Sequence, residues 1–278
     1  MKLERIFHPS DFTHGDEAAF AHALRIAVAA RSRFQMLHVK KPDDHVEWSQ
    51  FPRVRSTLVQ WKLLPPDPGP GDLEKLGLRV SKAKRSDEEP VAAIVNYMRE
   101  SQPDLVVMAT HQHQGVDRWL LGSIAEAVAR ATSAATLFIP RTSGGFVDAA
   151  TGEVRLRTIL IPVDRRPNPQ TAADAAATLA RTLCCPRVHF IFLHVGASED
   201  APTVRLPEEP GWTAEFQYFA GRPADLILTS ARVDNPKPDL LVMATQGSRG
   251  FLGALLGGTT ERVLAHVPCP LLAVPAIS

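Results

Sequence analysis

No stretch of this sequence approaches the roughly 20 consecutive apolar residues that a helix needs to cross a bilayer. The opening residues, Met1-Lys2-Leu3-Glu4-Arg5, lack the apolar run of a secretion signal. Cysteine is scarce: Cys184, Cys185 and Cys269 are an odd number, two of them adjacent, so no disulfide framework and no Cys-x-x-Cys pair is suggested. A reducing, cytoplasmic location is the expectation that fits. Neither sign of charge is in excess, with 31 Lys and Arg against 30 Asp and Glu. That removes the basic field expected of a nucleic-acid binder and the acidic field expected for a cationic partner. No Gly-rich loop ends in Gly-Lys-Ser/Thr, which excludes a P-loop NTPase at motif level. No Gly-x-Ser-x-Gly elbow is present, and no trio is spaced like a nucleophilic triad. What remains is 45% apolar and 22% charged, the composition of a globular protein with length for one large domain or two ordinary ones.

The dominant positive feature is an internal repeat. Arg5 to Asp11 (RIFHPSD) returns as Thr158 to Asp164 (TILIPVD), and Phe34 to Val39 returns as Phe190 to Val195. Asp104 to Thr110 (DLVVMAT) returns as Asp239 to Thr245 (DLLVMAT). Gly122 before an Ala/Val-rich stretch matches Gly257, and Ala135 to Pro140 matches Pro270 to Pro275. The order is preserved, and the last third of each copy aligns without a gap. Between the second and third blocks, however, copy one has 65 steps and copy two only 44, so copy two has lost an element there.

Each copy reads as alternating strand and helix. The strands are short, near-continuous apolar runs, as expected of parallel strands buried on both faces. A first helix is expected from about Asp16 to Arg31, with Phe20, Leu24, Ala27 and Val28 on one stripe. Pro169 opens its counterpart, with Leu179 and Leu183 inward. Pro52 to Leu63 reads as a further helix in copy one, with Val54, Leu58 and Trp61 on its inner face; copy two has only the Pro- and acid-rich stretch from Gly196 to Gly211 there, read as a loop. The divisions expected are a first domain over 1–143, a linker over 144–155 and a second domain over 156–278 that lacks one helix. Ser143-Gly144-Gly145-Phe146-Val147-Asp148 is similar to the phosphate loop of ATP pyrophosphatases, but it follows the wrong strand and reads as linker.

In an open α/β sheet, ligands bind at the carboxyl ends of the strands where strand order reverses. Those ends carry Asp11 and Asp164 and the segments after Met108 and Met243. New helices start at Ser123-Ile124-Ala125-Glu126, a capping-box pattern, and at Gly258-Thr259-Thr260-Glu261. Free amides at such starts attract phosphate. The Pro-x-Asp strand end, the His-Val strand end, the Met-x-Thr strand end and the closing Pro-Cys-Pro-Leu-Leu-Ala-Val strand together resemble the universal stress protein family, twice over and along nearly the whole chain.

The resemblance implies an α/β fold of two tandem, doubly wound parallel sheets, five strands each in the order 3-2-1-4-5, related by a pseudo-two-fold. It implies a cytoplasmic stress-response protein that binds ATP or another adenine nucleotide without dedicated catalysis. Pro9 and Asp11, and Pro162 and Asp164, would approach the adenosine. Val39 and Val195 would border the adenine, beside Met108, Ala109, Met243 and Ala244. Gly122 and Ser123, and Gly257, Gly258 and Thr259, would meet the phosphates. The family's phosphate loop runs Gly, two residues, Gly, nine residues, Gly, then Ser or Thr. Here the first glycine is Ala109 or Ala244. The second is Gln112 in copy one but Gly247 in copy two, which favours copy two. Alternatives are a nucleotide-free interaction module of the same fold, a weak ATPase, or a zinc enzyme where His8, His38, His111 and His113 near one another in sequence-predicted strand ends; copy two has Ile161 and Gln246 in place of His8 and His111, which counts against zinc. Family dimers pair their last strands. Both last strands are in one chain here, so Thr136 to Ile139 and Leu271 to Val274 are expected to pair internally, leaving any homodimer to another surface and the protein partner open.

Overall fold

The computed structural model of the chain describes residues 1–110, 128, 133–232, 236–246 and 258–276. Copy one contributes strands β1 (Arg5–Pro9), β2 (Arg33–Lys40), β3 (Arg79–Ser86), β4 (Leu105–Thr110) and β5 (Ala135–Pro140). Copy two contributes β6 (Thr158–Pro162), β7 (Val188–Val195), β8 (Trp212–Phe219), β9 (Leu240–Thr245) and β10 (Leu271–Pro275). They form a single sheet in the order β3-β2-β1-β4-β5-β10-β9-β6-β7-β8. Each half therefore has the expected 3-2-1-4-5 order, read inward from opposite edges. All neighbours are parallel except β5 and β10, which pair antiparallel with Leu272 opposite Leu137 and Leu271 opposite Phe138. The expected internal edge pairing is thus present, and it removes two exposed edges at once.

The helices cover both faces: α1 (Glu17–Ala30), α2 (Val54–Gln60), α3 (Asp72–Lys75), α4 (Pro90–Ser101), α5 (Pro169–Thr182), α6 (Pro223–Ser230) and α7 (Thr259–His266). Helix α1 is rich in Ala, so it lies close against the strands; Ala19, Ala23, Leu24, Ile26 and Ala27 are wholly buried. It stops where Arg31 turns left-handed at φ 52°. Helix α5 starts with Asn168 Oδ1 accepting the Gln170 amide at 3.1 Å, which satisfies one of the free N–H groups of its first turn. One core runs under α1, α2 and α5 across both halves and includes Ile6, Phe34, Leu58, Phe190 and Leu272; the other, with Phe7, Met98, Phe138, Ile227 and Leu271, lies on the opposite face. Each such large apolar side chain contributes on the order of 1.5–3 kcal/mol by leaving water.

The repeated aspartates at the third block have a structural task. Asp104 Oδ2 accepts the Glu4 and Arg5 amides at 3.0 and 2.9 Å, and Asp239 Oδ2 accepts the Arg157 and Thr158 amides at 2.7 and 2.9 Å. Each ties the entry of its first strand to the turn before its fourth.

Residues 144–155 are a docked hairpin rather than a free tether. Val147 bridges Val154, and Phe146 and Val147 are buried. His22, itself buried on α1, holds it. Its Nδ1 donates to the Ala18 carbonyl at 2.6 Å, so the neutral ring offers Nε2 as acceptor to the Phe146 and Val147 amides at 2.9 and 3.1 Å. Trp61 Nε1 donates to the Ala149 carbonyl at 3.0 Å, and Gly152, at φ +70°, lies so close over that indole that a Cβ would stand 2.5 Å from it. In copy two the stretch from Gly196 to Gly211 holds a single 3-10 turn, Ser198–Asp200, in place of a helix like α2.

Candidate functional site

The carboxyl ends of β1 and β4 gather the candidates of copy one. The chain leaves β1 through Ser10, Asp11 and Phe12, the last in the left-handed region at φ 61°. Ser10 Oγ donates to Asp16 Oδ2 at 2.6 Å, and His8 Nε2 stands 3.3 Å from the same oxygen. His8 Nδ1 donates to the Val107 carbonyl at 2.9 Å. All three side chains are buried. Burial alone would push the His8 imidazole down, but the adjacent Asp16 carboxylate, the Val107 carbonyl and Asp11 together outweigh it and the pKa is raised. This is no nucleophile relay: the serine proton points at the carboxylate, and the imidazole touches the carboxylate rather than the hydroxyl. It also explains why Asp16, the N-cap of α1, makes no side-chain cap.

Asp11 is engaged on both oxygens. Oδ1 accepts the Thr13 amide and hydroxyl at 3.0 and 2.7 Å, and Oδ2 pairs with Arg141 Nη2 at 2.5 Å. Partial burial pushes the carboxyl up, but the Thr13 hydrogen bonds and the guanidinium prevail and hold its pKa below the ordinary value. Arg141 follows β5 and crosses Gly15 so closely that a Cβ there would stand 2.4 Å from the guanidinium. Phe12 stacks on His38 at 3.9 Å between ring centres and meets Phe51 edge-on at 4.8 Å. His38 Nδ1 donates to the Ser10 carbonyl at 2.8 Å. Beside Phe12 an open cleft of about 550 Å³ is lined by Ser10, Thr13, Asp16, Arg53 and Gln60.

Copy two shares the scaffold and little of the filling. His194 Nδ1 donates to the Val163 carbonyl at 3.1 Å, as His38 does to Ser10. Asp164, however, is exposed, and among the described residues its Oδ1 accepts only the neighbouring Arg165 amide at 2.7 Å. The Arg165 guanidinium turns away to Asp200 at 2.9 Å. Helix α7 starts at Thr259 behind Gly258, which is extended at φ −65° and ψ 148°.

Of the sequence-predicted residues, Pro9, Asp11, Val39, Met108 and Ala109 stand at the strand ends of copy one, and Pro162, Asp164, Val195, Met243 and Ala244 at those of copy two. Met108 and Met243 are buried in the core beneath those ends, so only their backbone faces the site. Gln112, Gly122, Ser123, Gly247 and Gly257 lie outside the described residues, as do His111 and His113. His8 Nδ1 is held by the Val107 carbonyl while its Nε2 faces Asp16 at 3.3 Å, and His38 is held by Ser10 and covered by Phe12. Among the described residues, no group of three or more His, Cys, Asp or Glu could hold a metal ion. Cys185 and Cys269 are buried, and burial pushes their thiols up to about 11 and about 12; Cys184 is exposed. Sequence reasoning missed Phe12, Arg141 and His22. Arg141 sits 130 positions from Asp11, and no local pattern announces that contact.

Comparison with known proteins agrees with this architecture. The model of the universal stress protein family matches residues 2–140 and 213–275. Universal stress protein MJ0531 of Methanocaldococcus jannaschii is 37% identical over 70 residues, covering 25% of this chain and 40% of that protein. A universal stress protein of Thermus aquaticus, encoded in the QAH/OAS sulfhydrylase 3' region, is 47% identical over 55 residues, covering 19% and 38%. The chain thus spans about two fifths of the length of these curated relatives. In three dimensions, a universal stress protein from Archaeoglobus fulgidus superposes over 100% of both chains with TM-score 0.63 at 13% identity. The functionally unknown protein PA1789 from Pseudomonas aeruginosa PAO1 covers 98% of this chain and 93% of its own, with TM-score 0.61 at 16% identity. With both halves folded in the same strand order and most of the chain matched, this protein belongs to the universal stress protein family.

Proposed function

We propose that this chain is a cytoplasmic stress-response protein that binds an adenine nucleotide, ATP or AMP, in copy two and has no dedicated catalytic apparatus. The observation that carries the reading is the contrast between Asp164, exposed with one local amide, and Asp11, clamped by Thr13 and Arg141. An open carboxylate at the end of the first strand can accept ribose hydroxyls. Gly258 and Thr259 at the start of α7 supply amides suited to a phosphate. For copy one, Phe12 and Arg141 favour the second reading, a nucleotide-free module of the same fold. The proposed divisions remain 1–143, 144–155 and 156–278.

Calorimetry on the full chain with ATP and AMP tests this. One site per chain is expected. Asp164→Ala should weaken it roughly 2- to 150-fold, the range for a lost hydrogen bond worth about 0.5–3 kcal/mol. Asp11→Ala should leave affinity unchanged. No binding by the wild type, or loss only on Asp11→Ala, overturns the reading.

A further inference from the structure

β3 and β8 are the outermost strands of the sheet, and each has one ladder partner. Such a row of open backbone groups invites pairing with another strand. β3 is guarded. It carries Arg79, Lys82, Lys84 and Arg85 in eight residues. The Lys84 ammonium lies over the Trp48 ring at 4.2 Å and donates to the Val46 carbonyl at 2.6 Å, and Lys82 lies over Phe51 at 5.5 Å. At the matching places of β8 stand Phe216 and Tyr218, and the one charged side chain of that strand is Glu215. Phe216 stacks on Phe192 at 4.8 Å and Tyr218 on Phe216 at 6.2 Å, so an aromatic stack begun in the core runs out to the rim. There Phe216 is 36% and Tyr218 46% exposed, with Phe219 on the other face at 37%.

We propose that β8 pairs antiparallel with β8 of a second copy of this chain, about a two-fold axis through Phe216. The strand is self-complementary in that register. Ala214 falls opposite the partner copy's tyrosine, a small side chain against a large one, and Glu215 falls opposite the amide of Gln217, which already donates to it within the chain at 2.7 Å. Moving the axis onto Glu215 sets that carboxylate against itself, and like charges directly opposite destabilise a pair. The same operation on β3 would set Lys82 against Lys82. The chain already extends its sheet in this way, for β5 and β10 meet antiparallel with matching faces on the same side. An eight-residue strand is about 27 Å long and, with three partly exposed rings, falls well short of the roughly 800 Å² per partner of a standard stable interface. The dimer is therefore reversible and concentration-dependent.

The test is sedimentation velocity on the full chain from low to several hundred micromolar, with hydrogen exchange read at both ends of that range. The wild type should shift from monomer to dimer, and amides in 212–219 should gain protection as it does. The double variant F216K/Y218K takes the residue types that β3 carries at these places; it should keep the wild-type circular dichroism, melt at a lower temperature because the Phe192 stack is lost, and remain monomeric. A wild type that stays monomeric throughout, a variant that dimerises equally, or protection gained elsewhere overturns the proposal. None of these outcomes depends on nucleotide.

Discussion

The two copies use one scaffold for opposite ends. At the ends of β1 and β4, copy one closes on itself: Arg141 reaches across Gly15 to Asp11, Phe12 lies on His38, and a buried histidine on α1 straps the following hairpin over α2. At the ends of β6 and β9, copy two leaves its aspartate open, and Ala175 stands where copy one has His22. At the outer edges the roles reverse, with lysines on β3 beneath a covering segment and bare aromatics on β8. Duplication preserves what the backbone needs, such as Asp104 and Asp239, while the side chains at the strand ends and outer edges diverge.

The largest expected effect tests whether the halves are one unit. Leu137 and Leu272 face each other across the seam and are both wholly buried. Each →Ala should cost about 2–5 kcal/mol in urea denaturation, in a single transition. If Leu137→Ala melts copy one alone, the seam does not couple the halves.

Next is the strap. His22→Ala leaves two buried amides without an acceptor, at about 1–3 kcal/mol each, so about 2–6 kcal/mol is expected from the same measurement. Ala175→Gly in copy two should cost only on the order of 1 kcal/mol, the helix-propensity difference. Comparable losses would mean that the strap is incidental.

The third outcome is pH dependence. Burial, only partly opposed by the Ala18 hydrogen bond, pushes the His22 pKa from 6.5 down to about 4. Its stabilisation is present above pH 6.5 and is lost as the pH falls from there through 4, by ~3 kcal/mol. His8 runs the other way. Its folded pKa is raised, so its contribution is complete below 6.5 and fades as pH rises through the folded value. Chemical denaturation of His22→Gln should show a flatter acid limb than the wild type; an unchanged limb would remove His22 from the account.

The smallest effect concerns Arg141. Its pair with a half-exposed aspartate is worth on the order of 1 kcal/mol or less. Arg141→Ala should barely change stability but should raise the Asp11 pKa, measurable by carboxyl NMR titration. If the Asp11 pKa does not move, the guanidinium is not what holds it down.

The duplication was legible because five apolar blocks recur in one order, and strand order and the internal seam followed only from the family resemblance that those blocks carry. The helix over Val54 to Gln60 was legible from Val54, Leu58 and Trp61, all of which are buried. The state of the copy-one site was not. Glycine spacing pointed to Gln112 as the impediment, whereas the described residues show Asp11 already taken by Arg141, 130 positions along the chain. The hairpin over 144–155 was read as a linker because its glycines are turn residues, and turn residues carry no sign of what they dock against.

By itself the sequence determined the duplication, the α/β alternation and the element missing from copy two, since these follow from hydrophobic periodicity and spacing along the chain. Tertiary structure alone decided that Arg141 meets Asp11, that His22 accepts from Phe146 and Val147, and that Phe216 and Tyr218 end at a bare edge. These contacts join residues far apart in sequence, and a side chain's charge or ring acquires its meaning only from the group the fold sets beside it.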